Sequence, residues 1–115
     1  MDGSILNTVK RHLNIDPSYN VFDETVLMHI NTALATLTQL GVGPAEGFAV
    51  EDATATWSDF LGDDLVLRSA SSYVSLCCRM AFDPPSTGFH VTAMKEQIAQ
   101  LEWRLNVQIE GKKTA

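Results

Sequence analysis

Over most of the chain, apolar residues recur every three or four positions between hard stops at Gly41, Gly62 and Pro84-Pro85, and apolar and polar residues nowhere alternate over a sustained stretch. Spacings of three and four bury one side of an α-helix, whereas a half-buried strand needs a period of two. The pattern predicts an all-α fold, a compact bundle of four to five helices with a long C-terminal helix and one extended loop.

Ser4 is placed to cap a first short helix whose Ile5, Leu6, Val9 and Leu13 share a side, and Asp16-Pro17 is expected to end it. A second helix opens at Val21-Phe22-Asp23, with Asp23 as N-cap and Phe22 stapled onto Leu27. Its apolar set Val26, Leu27, Ile30, Ala33, Leu34 and Leu37 winds to within about 60° of Ile30, and Gly41 is the natural stop. Three glycines and Pro44 make Gly41 to Thr56 an ordered loop, in which Phe48-Ala49-Val50 either pairs as a strand or tucks one aromatic under the helices. Thr56 and Asp59 form a capping-box pattern ahead of Trp57, Phe60 and Leu61, on a short helix that stops at Gly62.

A fourth helix is predicted from Asp64 to Phe82, with Val66, Ala70, Tyr73, Leu76, Cys77 and Met80 facing the core and Ser71, Ser75, Cys78 and Arg79 turned away. Pro84-Pro85 closes it. The last helix starts between Thr87 and Thr92 and is expected to end near Ile109, before Gly111 and a flexible polar tail over 110–115. Its stripe of Val91, Met94, Ile98, Leu101, Leu105 and Ile109 spans an arc of about 80°. Trp103 and Val107 fall about 200° and 240° away from Leu101 and form a second apolar patch with Ala99, between Glu96 and Glu110. A large aromatic opposite its helix's own core stripe either packs under a loop of the same chain or meets another subunit.

At 115 residues and 45% apolar content, residues 1–115 read as one domain that buries roughly two-thirds of its unfolded surface without metal or disulfide staples. Fourteen acidic against eight basic residues give a net charge of −6, with the cations scattered except for Lys112-Lys113. Specific nucleic-acid binding needs a clustered basic face, so it is excluded, although an acidic surface suits DNA that must pass without sticking. Cys77 and Cys78 diverge by about 100° on a helix and are expected as free thiols in a reducing cytosol. The sequence shows neither a signal-peptide pattern nor an apolar run approaching the roughly 18 residues of a membrane span, which points to synthesis as a soluble protein in the cytoplasm.

His12, His29 and His90 lie on three separate segments with no ligand-spaced cysteine, so no metal site is expected. The acid pairs Glu51-Asp52 and Asp63-Asp64 read as helix-start and loop residues. Gly41-Val42-Gly43-Pro44 lacks the strand and helix of a phosphate loop, no Gly-x-Ser-x-Gly elbow is present, and a core-facing Cys77 is inert. No catalytic residue and no cofactor are expected, and the chain reads as a protein other than an enzyme.

Six blocks in order carry a resemblance that spans nearly the full length: Ile5-Leu6-Asn7-Thr8-Val9-Lys10; Phe22-Asp23 leading to Met28-His29-Ile30-Asn31; Gln39-Leu40-Gly41-Val42-Gly43-Pro44; Trp57-Ser58-Asp59-Phe60-Leu61; Phe82-Asp83-Pro84-Pro85; and Leu101-Glu102-Trp103-Arg104-Leu105-Asn106-Val107. Together they resemble the head-tail connector family of long-tailed phages, also called head-completion or neck adaptor proteins. The resemblance implies a structural protein of the virion neck that joins others in a homo-oligomeric ring beneath the portal protein, of roughly twelve copies. Such a ring extends the channel, lets DNA pass through its lumen and offers a surface to the next neck or tail-completion protein. Trp57, Trp103, Arg104 and Val107 are the candidate interface residues. The loop from Ala45 to Ala55 departs from the pattern and is assigned to no partner. The alternative from another class is a small helical binding or regulatory module that presents the Trp103 face to a host or phage protein.

Overall fold

The Ser4 hydroxyl accepts from the Asn7 amide at 3.2 Å and starts α1, Ile5–His12, as its sequence requires. Four further helices follow in the computed structural model: α2 Asp23–Gln39, α3 Trp57–Leu61, α4 Ser69–Phe82 and α5 Gly88–Thr114. The structure describes residues 3–62 and 69–114, so the expected fourth-helix positions Asp64 and Val66 lie outside the described residues. Among the described residues there is no strand, only an isolated antiparallel bridge between Ser4 and Thr56, and the fold is all-α.

α1 ends earlier than Asp16-Pro17. Asn14 takes a left-handed φ of 62°, and the amides of Asn14 and Ile15 return to the Arg11 and Lys10 carbonyls, a Schellman closure with asparagine in the usual glycine place. α2 closes likewise: Gly41 has φ 92°, its amide bonds to Thr38, and that of Val42 reaches the Leu37 carbonyl at 2.9 Å. Val42 is then fully buried.

The start of α2 corrects the sequence reading. Phe22, not Asp23, is the N-cap and has no side-chain acceptor to make a cap bond, while the Asp23 carboxylate is held by Lys10 Nζ at 2.6 Å. Phe22 is 41% exposed, and its ring lies tilted against Tyr19 and edge-on to Phe82.

α4 is central and packs against α1, α2 and α5. Its buried residues are Ala70, Tyr73, Val74, Ser75 and Cys78, while Cys77 is only half-buried. The predicted stripe assumed one covered side, but a helix with three neighbours hides residues around most of its circumference, which places Ser75 and Cys78 inside. Ile30, Leu34 and Leu37 of α2 are fully buried, each contributing about 1.5–3 kcal/mol.

Phe48-Ala49-Val50 is not a strand. Asn31 holds it, accepting from the Val50 amide at 2.8 Å and donating to the Val50 carbonyl at 3.0 Å, while Phe48 tilts onto Phe60 at 5.3 Å between centroids. The capping box of Thr56 and Asp59 is present, and Gly62 ends α3 with φ 65°. α5 begins at Gly88 and continues through Gly111 to Thr114, past the expected end near Ile109. Gly111 lacks the positive φ that makes Gly41 and Gly62 stops, and an exposed glycine within a helix costs only about 1 kcal/mol.

Candidate functional site

The C-terminal half of α5 is divided between two environments. Leu105 is fully buried and Ile109 is 6% exposed, and Ile109 lies so close to Gly41 that a β-carbon there would stand 3.0 Å from its Cγ2. On the next turn toward α4, Glu102 accepts a 2.6 Å hydrogen bond from the Tyr73 hydroxyl. That bond and, more strongly, burial hold the Tyr73 phenol protonated far above its ordinary range.

On the other side of the helix Trp103 is 67% and Val107 48% exposed, with Ala99, Glu96 and Glu110 also in solvent. Among the described residues no loop covers the indole. Arg104, one step round, is exposed too. Trp57 is different: it opens α3, packs half-buried against the core and donates from Nε1 to Thr8 Oγ1 at 3.3 Å. The four sequence candidates thus divide into an exposed group on α5 and one tryptophan fastened to α1.

Two exposed apolar features escaped the sequence reading. Phe89 is 80% exposed and stands two heptads before Trp103, which puts both aromatics on one side of α5. That spacing was a readable signal. Tyr19, Val21 and Phe22, with Met28, form an exposed corner before and on α2. Val21-Phe22 carries no separate signal, since an apolar residue before a helix is also the mark of a staple.

Little of the site is suited to bond chemistry. His12 Nδ1 and Ser75 Oγ are 2.7 Å apart, but Ser75 is buried and no carboxylate orients the imidazole among the contacts described. Burial pushes the Cys78 thiol up to about 12 and raises Cys77 as well, the opposite of a reactive thiolate. Among the described residues no three His, Cys, Asp or Glu side chains cluster as metal ligands, and no helix is long and apolar enough to cross a membrane. Asp52 is engaged in the loop, where its carboxylate accepts from the Thr54 hydroxyl and, at 2.9 Å, from the Thr54 amide, and these bonds lower its pKa. Asp63 and Asp64 lie outside the described residues.

An exposed apolar patch of this kind is the sort of surface through which proteins contact one another. The family model described as phage connector protein matches residues 5–112. The chain belongs to the phage connector family. The match takes in every helix from α1 to the last turn of α5, so the connector resemblance of the sequence blocks and the family agree. No curated protein and no solved structure is significantly similar to this connector chain.

Proposed function

We propose that the protein is a head-tail connector subunit that forms a ring below the portal of a tailed-phage virion, extends the DNA channel and docks the next neck or tail component. The observation that carries this reading is the division of α5: Leu105 and Ile109 are spent on the subunit's own core, while Trp103 and Val107 remain exposed. A heterologous contact repeated around an axis closes such subunits into a ring, of about twelve copies where it matches the portal. Packed helices supply a stiff wedge for that geometry, and the net charge of −6 suits a lumen through which DNA slides without adhering. The function is mechanical and needs neither catalysis nor a cofactor.

Trp103→Ala tests it in phage whose only source of connector is the variant. Copies per purified particle, counted by quantitative mass spectrometry, fall at least tenfold, while the melting midpoint of the free protein stays within about 2 °C. Equal losses of assembly and stability overturn the intersubunit role. Absence of the wild-type chain from purified particles overturns the ring itself and leaves a helical regulatory module presenting the same face.

A further inference from the structure

The first turns of α5 stand off from α4, and two recesses of about 310 and 460 Å3 open between them. Both are lined by Arg79 and Met94, so they form one groove, with His12 and Ser75 toward one end and His90 and Gln97 toward the other. Among the described residues no carboxylate lines it, in a chain of net charge −6. The same side of α5 stays free of acids beyond the groove: Arg104 follows Gln97 by two helical turns, whereas Glu96 and Glu110 flank Trp103 and Glu102 is held by Tyr73. The Asp83 carbonyl accepts from Arg79 Nε at 3.2 Å, which orients the guanidinium and leaves its terminal nitrogens as donors.

The loop between α2 and α3 carries three exposed acids, Glu46, Glu51 and Asp52, and no basic residue, while the other exposed acids among the described residues are dispersed at Asp16, Glu24, Asp59, Asp83, Glu96 and Glu110. That loop is tied to α2 by Asn31 and Val50 and to α3 by Phe48 and Phe60, and none of its residues lines the groove. Two unlike, charge-complementary surfaces that do not meet within a subunit are what a head-to-tail contact between copies requires.

We propose that this loop of one copy seats in the α4–α5 groove of the next, with Glu46 and Glu51 pairing with Arg79 and Arg104. The inference rests on the ring reading and adds a second contact to the Trp103 face. Forked guanidinium–carboxylate pairs fix orientation as well as attraction, so they set the angle between neighbours on which closure depends.

Charge reversal in virions is the test. Arg79→Glu/Arg104→Glu and, separately, Glu46→Arg/Glu51→Arg each lower connector copies per particle at least tenfold, and all four changes together restore them to within about twofold. Asp52 is left in place because it holds the Thr54 turn. Thermal melts of the free variants show whether each folds; if the groove reversal does not, Arg79→Gln/Arg104→Gln replaces it with the same direction expected. Wild-type copy numbers in the groove variant, or a fourfold variant no better than either half, overturn the proposal while a ring in wild-type particles stands. Wild-type particles without a ring overturn the underlying reading, and this contact with it.

Discussion

Lys10 Nζ lies 2.6 Å from the Asp23 carboxylate and 2.9 Å from the Pro17 carbonyl, on a side chain only 1% exposed. The contact joins the last turn of α1 to the first turn of α2 across the turn between them. A buried ammonium that loses its counterion is far worse off than one never buried. Asp23→Ala therefore costs about 3 kcal/mol in urea denaturation, and adding Lys10→Met recovers a large part of it. Simple additivity of the two losses contradicts this account of the pair.

Asn31 takes the place of a β-strand partner for Val50, satisfying its amide and carbonyl together. Asn31→Ala leaves both groups unpaired beside α2 and costs about 1–3 kcal/mol. Hydrogen exchange at the Val50 amide rises more than at Leu34 or Leu37, because the loop opens locally before the core does.

Gly43 has φ 81°, and a β-carbon on it would collide with the buried Phe60 ring. Gly43→Ala combines a left-handed backbone with overpacking, and a loss of about 2–4 kcal/mol is expected in denaturant midpoint. Gly47→Ala is the comparison: its φ is 98° but nothing stands within 4 Å of the added carbon, so only the backbone cost of about 1–2 kcal/mol remains.

The two tryptophans differ in what they contribute to stability. Trp57→Ala removes core contacts and the bond to Thr8 and costs about 2 kcal/mol, whereas Trp103→Ala stays within about 0.5 kcal/mol of wild type in the free protein. Chemical denaturation of the two variants side by side checks the contrast.

Cys78 contributes to the alkaline limb of stability, in the same direction as Tyr73 and Cys77. Its folded pKa, raised by burial from 9.0 to about 12, exceeds the unfolded value, so the unfolded chain loses its proton first. The contribution is complete below about pH 9 and is lost as pH rises toward 12. Cys78→Ala, although destabilised at neutral pH, shows a flatter decline over that window in denaturant midpoints.

The sequence made the helices, their caps and the two-sided character of α5 legible, because each rests on residues close in the chain: Ser4 with Asn7, Thr56 with Asp59, and Leu105 two positions from Trp103. Relations across the chain were hidden. Asp23 gives up its capping role to a lysine thirteen residues earlier, and α4 buries Ser75 and Cys78 because three helices surround it. The groove was unreadable for the same reason, since His12, Arg79 and His90 are gathered only by the packing of three helices.

α5 has 27 residues, a rod of about 40 Å beside a molecular length of 44 Å. Leu105 and Ile109 anchor its C-terminal half, while no residue from Gly88 to Gln97 is fully buried. The helix is therefore a cantilever, clamped by the core over its C-terminal half and only partly covered over its first turns.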